Sequence, residues 1–337
     1  MALGARITTT TNQKLMPYVV DTILNSNVAF QRIVNASKEF QGEKLLFPIK
    51  YSINSTFQTF AAFDTFSTSA TNNRVNMTYY PAFAQITSAL PGDELSTNKA
   101  AGDQKIMDLV GVTLKSDSQD LADQLGTLFY SSTGAGTDPL GLAAIVDDGT
   151  TVATIGGLSR TTYPTLAGTV TASGGTLTLA KMGTLWNAVT SGAQQPTTIW
   201  TTKTVYNLYE QLLAPQERII KNVPFTKGVV SGDGFTGLSY KGVAVLQDEK
   251  ATSGVLFYIN EDYLDFYAMP HWSAEAVNYR ANIKGNDYET PLGLGFSWSG
   301  WIKVSNSDSV VGHTYFGGQF TTDDPKRMGK LTGITSV

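Results

Sequence analysis

The stretch that decides the fold of this chain runs from Leu90 to Pro164 and reads LPGDELSTNKAAGDQKIMDLVGVTLKSDSQDLADQLGTLFYSSTGAGTDPLGLAAIVDDGTTVATIGGLSRTTYP. Within it, apolar residues recur about every 3.6 positions, the spacing of one helix face. They are Ile106, Val110, Leu114, Leu121, Leu125 and Leu128. The pattern predicts one long amphipathic helix, and no group of residues typical of catalysis accompanies it.

The limits of this helix are also indicated by sequence. Ser96 or Thr97 is expected to cap its first turn with a hydroxyl, and Gly134 and Gly136 are expected to end it. A helix reaching Tyr130 would be about 50 Å long at 1.5 Å per residue. Such a rod is typical of a structural element rather than of a reaction site.

Length and charge bound the class of protein. The chain has 337 residues, which predicts about two lobes, each with its own core. Its net charge is -4, whereas proteins that grip a duplex usually carry clustered positive charge. Charged residues make up only 15%, which indicates surface that neighbouring molecules cover, although a Thr-rich secreted β-protein would have a similar composition.

Cysteine is absent from the chain, which excludes disulfides, thiolate zinc sites and thiol nucleophiles together. No run approaches the length of roughly 18 to 20 apolar residues that a membrane span needs. The first six residues lead into threonines rather than into the apolar core of a signal peptide, so the chain is expected to stay soluble where it is made.

Upstream of the long helix, two features predict extensions. Apolar residues between Asn12 and Val34 recur at mixed spacings, which indicates one or two short helices in an arm that lies along something else. Residues 47–53 and 75–79 alternate apolar and polar side chains, the period of a strand with one covered face. We expect them to form a long hairpin with arms of about 15 to 20 residues, projecting about 50 to 65 Å.

The tip of this hairpin carries an unusual set of aromatics. Phe57, Phe60, Phe63 and Phe66 stand three residues apart in a segment otherwise rich in Thr, Ala and Ser. They could form a short buried helix or turn. Alternatively, they could form an exposed apolar tip that docks on a neighbouring subunit, since such patches mark interaction sites.

Downstream, the sequence predicts a mixed lobe. Residues 133–178 are rich in Gly and Thr with several turn signals, which indicates loops and short strands. Helical patterns at 179–189 and 203–213 flank a strand at 198–200, and further strands are expected at 242–246 and 255–259. Helix, strand and helix in close succession favour an α+β fold, and the last fifth of the chain again has a strand pattern.

A search for chemistry finds little. Residues 232–237 match the Gly-rich dinucleotide fingerprint, but a strand-like segment follows where a helix is required. His271 and His313 lack the spacing of a metal motif. Adjacent carboxylates, as at 147–148 and 261–262, are expected to serve caps and turns. The sequence therefore predicts no catalytic, cofactor-binding or metal-binding residues, and no cofactor.

Four stretches in order resemble the major capsid proteins of tailed double-stranded DNA phages. The first is the block from Leu90 to Pro164, and the second joins Pro196–Thr202 to Leu212–Arg218. The third joins Gly242–Val245 to Asn260–Leu264, and the fourth is Gly317–Ile334. The resemblance spans most of the chain.

The resemblance implies an α+β fold of the Hong Kong 97 type, with an N-terminal arm, a long E-loop hairpin, a spine helix in a P-domain, and an A-domain. It would divide the chain into 1–40 (arm), 41–95 (E-loop and P-domain strands), 96–132 (spine helix), 133–178 (P-domain loop and linking segment), 179–285 (A-domain) and 286–337 (closing strands returning to the P-domain). A long N-terminal scaffolding segment is absent, so scaffolding would come from a separate protein or from a segment already cleaved away.

The function implied by the resemblance is that of a capsid protein and not of an enzyme. Copies would form the pentamers and hexamers of an icosahedral shell around double-stranded DNA, without sequence-specific binding and without a membrane. Portal and scaffolding proteins and a decoration protein would be its partners, and the shell would be assembled in the cytoplasm of the host bacterium. The residues expected to contact other subunits are Phe57, Phe60, Phe63, Phe66, Arg74 and Tyr80. The alternative is another virion part, such as a tail tube, or a surface adhesin.

Overall fold

The helices account for the strongest periodic segments of the sequence. A computed structural model describes residues 27–69, 71–99, 103–213, 238–269, 271–272, 275–276 and 294–337. The helices in these ranges are α1 (Val28–Asn35), α2 (Gly92–Lys99), α3 (Asp103–Ser131), α4 (Leu142–Ile145), α5 (Leu179–Val189) and α6 (Lys203–Leu213). The predicted helix upstream of Asn27 and the glycine-rich stretch 232–237 lie outside the described residues.

The strands form two large sheets and two small ones. They are β1 (Lys38–Glu39), β2 (Leu45–Lys50), β3 (Arg74–Tyr79), β4 (Ala82–Pro91), β5 (Thr154–Ile155), β6 (Leu158–Ser159), β7 (Thr169–Thr176), β8 (Thr198–Thr201), β9 (Ser239–Tyr240), β10 (Val243–Gln247), β11 (Leu256–Ile259), β12 (Leu264–Ala268), β13 (Glu275–Ala276), β14 (Phe296–Trp298), β15 (Ile302–Lys303), β16 (Ser309–Thr322) and β17 (Gly329–Ser336). In the described part, β16 is the centre of a seven-stranded sheet, and β4, β12, β14 and β15 all pair with it. A six-stranded sheet has the order β7-β17-β11-β8-β10-β9.

The first core lies between the seven-stranded sheet and the long helix α3. Val110, Leu114, Leu121 and Leu125 are buried as predicted, whereas Leu128 is only half-buried and the side chain of Ile106 is outside the described set. The helix continues through Gly111 and Gly126 without a break, over 29 residues. The expected α+β class and the expected rod are confirmed.

The predicted start of the long helix is wrong. Ser96 and Thr97 lie inside α2, which begins directly after β4 and is followed by α3 at Asp103. The hydroxyl of Ser96 donates to the carbonyl of Gly92, one turn back within the helix, so it does not cap a first turn. The C-terminal end of α3 agrees with the prediction. The helix ends at Ser131, and Gly134 shortly after it adopts a φ of 71°.

The described part of the arm is a short helix that lies along another part of the fold, as expected, and that part is the body of its own chain. α1 buries Ala29, Phe30, Ile33 and Val34 in the first core, with Phe30 against rings from α3 and β16. β1 then pairs in parallel with β12. Residues 28–39 are therefore an integral part of the first lobe rather than an extension, because their apolar face is covered by the same chain.

The second core lies on the six-stranded sheet. α5 and α6 cover it with Met182, Leu185, Val205 and Tyr209, all buried, and both helices and the strands β8, β10 and β11 agree with the sequence pattern. The closing segment does not return as a whole to the first lobe. β16 belongs to the first sheet, but β17 pairs with β7 and β11 of the second sheet, because its apolar residues Leu331 and Ile334 face the second core.

Candidate assembly surface

The base of the predicted hairpin is a small, separately packed ladder. β2 and β3 pair antiparallel from Leu45↔Tyr79 to Lys50↔Arg74, about 20 Å at 3.3 Å per residue, so the ladder is shorter than predicted. Ile49, Met77 and Tyr79 point to one side and pack on Ile155 and Leu166. β4 is not a continuation of the hairpin, since it pairs with β16.

Two contacts fix this ladder to the body of the protein. The hydroxyl of Tyr79 donates to the carbonyl of Thr322 at 2.7 Å, at the end of β16. The N–H of Thr78 donates to the carbonyl of Gly156 at 2.9 Å, in the turn between β5 and β6. Gly156 has a φ of 54°, and a Cβ atom there would lie 2.7 Å from Cβ of Met77, so this close approach requires glycine.

Beyond the ladder, the loop 51–69 presents the four phenylalanines to solvent. Phe57, Phe60, Phe63 and Phe66 are 87%, 68%, 103% and 61% exposed. The rings of Phe60 and Phe66 meet edge to face at 5.1 Å, and Phe63 has a φ of 75°, which is unfavourable for a bulky residue. The alternative of a buried helix is therefore wrong, because these residues are neither helical nor covered.

The structure does not bring the six predicted contact residues together. Arg74 is exposed at the outer end of the ladder, opposite Lys50. Tyr80 is 56% exposed but lies just past the inner end of the ladder, where its carbonyl accepts from Nε2 of Gln319. The ladder thus separates Tyr80 from the loop that carries the four phenylalanines, whereas Arg74 stands at the end of the ladder where that loop begins.

A second candidate surface was not predicted from sequence. A cavity of about 400 Å³ lies between residues 83–86 of β4, the α3 face that carries Leu121, Leu125 and Leu128, and the loop 137–139. Seven of its lining residues are apolar, and Gln85, Gln124, Thr137 and Asp138 are the polar ones. Phe83 lines the cavity and is 42% exposed. In the alternating pattern of β4 it is a large apolar residue on the exposed face, and this is the one sequence signal that could have indicated the cavity.

Ionisable groups in the described residues serve the fold. Asp147 is buried, accepts from the N–H groups of Val152 at 2.9 Å and Gly149 at 3.0 Å, and pairs at 3.5 Å with both Arg160 and Lys330. Burial alone would raise the pKa of Asp147, but these hydrogen bonds and cations outweigh it and lower the pKa. Asp147 therefore orders the turn that follows it, the role expected from sequence. It also holds a buried ion cluster that joins the 147–160 segment to β17, which the sequence did not indicate.

The other groups considered for chemistry have ordinary structural partners. The ring of His271 stacks on Tyr315 at 4.1 Å, and Nδ1 of His313 lies 3.0 Å from the hydroxyl of Thr87. Glu261 forms a two-pronged ion pair with Arg32 of α1. Among the described residues, no group of three or more His, Cys, Asp or Glu could hold a metal ion. No helix in these ranges is long and apolar enough to cross a membrane.

The architecture resembles that of several solved structures of capsids and of an encapsulin. A cyanophage A-1(L) capsid protein superposes with a TM-score of 0.68 at 16% identity, covering 92% of this chain and 93% of that chain. The capsid of a native GTA (gene transfer agent) particle gives 0.53 at 11% identity and 90% of both chains. An encapsulin complex from Synechococcus elongatus gives 0.51 at 10% identity, covering 89% of this chain and 86% of that chain.

These likenesses establish the fold. The chain has the Hong Kong 97-type α+β fold predicted from its sequence. No protein-family model matches the sequence, and no curated protein matches it.

Proposed function

We propose that this chain is the major capsid protein of a tailed phage, and that its copies form the icosahedral shell that encloses double-stranded DNA. One observation carries the proposal: the fold coincides with that of a cyanophage capsid protein over more than nine-tenths of both chains. The coincidence includes both lobes, so the support does not depend on one shared motif.

Assembly in this proposal depends on the aromatic tip. Each of its four phenylalanines is more than three-fifths exposed, and covering such a side chain contributes about 1.5–3 kcal/mol. A surface on one copy that meets a different surface on the next gives contacts that repeat and close into rings. Pentamers and hexamers are the rings that we propose, with the tip of one copy against the body of the next.

The remaining partners follow from the same proposal. A portal protein, a scaffolding protein and possible decoration proteins would complete the particle, which would be assembled in the cytoplasm of the host bacterium. The net charge of -4 favours packaged DNA that is enclosed without sequence-specific recognition. The chain would act by geometry alone and catalyse no reaction.

The alternative of a strand-only tail-tube or adhesin protein is disfavoured by the helices. α3 alone spans 29 residues, and α5 and α6 add 11 residues each. A far-ultraviolet circular dichroism spectrum with a substantial helical band is expected. A spectrum of strands alone would contradict the fold itself.

Removal of the tip tests the proposal. Deletion of residues 56–72, or replacement of the four phenylalanines by serine, should leave the subunit folded and soluble but abolish shells in negative-stain electron micrographs. The matched control carries Thr59→Ser and Thr65→Ser in the same loop and should form shells. Normal shells from the deletion would refute the role of the tip, and the absence of shells from the unaltered chain with a candidate scaffold would refute the capsid function.

A further inference from the structure

Gly126 interrupts the helix-forming residues of α3, and what lies against it explains its position. A glycine inside a helix destabilises the helix relative to alanine. A Cβ atom at Gly126 would clash with Oδ1 of Asn27 and would lie 3.0 Å from Cγ of Lys250. A Cβ atom at Gly111 of the same helix would meet no other described residue within 4 Å. Gly126 is therefore a notch in α3, where the start of α1 and the turn after β10 both approach the helix.

The turn after β10 also caps the first turn of α1. Asn27 does not cap the helix with its own side chain, which donates from Nδ2 to the carbonyl of Ala122 in α3 at 2.8 Å. Instead, Oδ2 of Asp248 accepts from the N–H of Ala29 at 3.2 Å, the bond that a capping side chain normally makes. Asp248 is 4% exposed, and its own N–H donates to the carbonyl of Thr201 at the end of β8. A carboxylate of the second lobe thus holds the N-terminal end of a helix whose apolar face lies in the first lobe.

One turn later, α1 is held again where the chain passes from one lobe to the other. Arg32 forms a two-pronged ion pair with Glu261, with 2.8 Å between Nη2 and Oε2, and the two side chains are 17% and 19% exposed. Glu261 lies in the turn between β11 of the six-stranded sheet and β12 of the seven-stranded sheet. Its N–H donates to the hydroxyl of Thr197, directly before β8, at 3.0 Å. The side of α1 is therefore bound to the crossing point between the lobes.

Near this point the lobes also meet through aromatic rings. Trp200 of β8 lies 5.9 Å from Phe129 of α3, and Phe257 of β11 lies 5.9 Å from Tyr130. Burial of such rings is favourable but non-directional, so it does not by itself select one angle between the lobes. A two-pronged arginine–carboxylate pair and a carboxylate bound to a backbone N–H have a defined geometry. The polar contacts of α1 are therefore those that can define the angle.

We propose that α1 is a brace that fixes the angle between the two lobes, held by the notch at Gly126 and by the carboxylates of Asp248 and Glu261. The consequence for assembly rests on the proposed function. A closed shell of one size requires subunits of one shape, because the same contacts must repeat around every ring. Subunits whose lobes rotate relative to each other would form shells of different diameters.

The angle can be measured in the unassembled subunit with two spin labels, because the chain has no cysteine of its own. Lys303→Cys places one label on the exposed strand β15 of the first lobe, and Asn187→Cys places the other on the exposed side of α5 in the second lobe. Pulsed electron spin resonance then gives the distribution of distances between the two labels. We expect one narrow distribution for the labelled chain, and a broader or displaced one when Gly126→Ala or Asp248→Ala is added.

Two control variants carry the same chemical changes away from α1. Gly111→Ala replaces the other glycine inside α3 and is the control for Gly126→Ala. Glu249→Gln removes the partner of Lys203 in an exposed ion pair within the second lobe. It is the control for Glu261→Gln, which leaves Arg32 without its partner and is also expected to broaden or displace the distribution. Both controls should leave the distribution of the labelled chain unchanged.

An unchanged distribution in the three variants at Gly126, Asp248 and Glu261 would overturn the proposal, and so would an equal broadening in the two controls. Glu261→Gln hardly changes the volume of the side chain, so it tests the brace even where Gly126→Ala does not fold. Shells are scored separately by electron microscopy. Shells of a single diameter from a variant with a broadened distribution would overturn the consequence for assembly. The absence of shells from the unaltered chain would refute the proposed function, whereas the angle between the lobes is tested on the subunit itself.

Discussion

Phe30 provides a direct test of whether α1 belongs to the core. Its ring is 1% exposed and lies 5.6–6.1 Å from the rings of Phe129, Phe316 and Phe320. Phe30→Ala removes the apolar surface of a buried ring and leaves a cavity between three well-anchored neighbours. We expect the free energy of unfolding to fall by about 3–5 kcal/mol, the usual cost of such a truncation.

The measurement is urea unfolding of the unassembled subunit, followed by tryptophan fluorescence. Trp200, which is fully buried 5.9 Å from Phe129, reports on this core. The matched control is Phe63→Ala, the same change at a fully exposed ring, for which we expect a change within about 0.5 kcal/mol. If Phe30→Ala were as mild as Phe63→Ala, α1 would be a detachable arm and the described packing would be wrong.

Three further predictions concern the buried ion cluster and the base of the hairpin. Asp147→Asn should lower the free energy of unfolding by about 3–5 kcal/mol, because Arg160 and Lys330 then remain buried without a counter-charge. The midpoint of urea unfolding measures this change, and an unchanged midpoint would contradict the stabilising role of the ion cluster. Because the pKa of Asp147 is lowered in the folded state, its contribution is present at neutral pH and is lost as pH falls below the usual carboxyl range, so the difference between Asp147→Asn and the unaltered chain should shrink on acidification. Gly156→Ala should lower the melting temperature more than Gly157→Ala, since both have positive φ but only Gly156 lies against β3; equal effects would show that the close approach is unimportant.

The elements that the sequence predicted well are those whose pattern is local. The apolar stripe of α3, the helices α5 and α6, and the strands around Ile199 and Val245 follow from side-chain periodicity alone, and each is present. The exposed aromatic tip was one of two open alternatives. The three-residue spacing of the phenylalanines fits a helix. The structure decides against it, because the segment is not helical and no partner in the described residues covers the rings.

The features that the sequence could not predict are those set by distant partners. Ser96 has a side chain suited to capping, but α2 already begins at Gly92, where the N–H of Gly92 donates to the carbonyl of Asp308. α1 resembles an extension until Phe30 is seen among rings that come from α3 and β16. The pairing of β4 with β16, in place of a continuation of the β2–β3 ladder, joins segments far apart in the chain, and this information is not contained in either segment by itself.

The position of β17 has a consequence for synthesis of the protein. This strand lies in the interior of its sheet, between β7 and β11, and its partners were translated long before it. Until residues 329–336 have left the ribosome, the position between β7 and β11 is empty and the sheet of the second lobe is incomplete. A polypeptide terminated before this point would lack a complete second lobe, so late truncation products should be cleared by proteases before they could be built into a particle.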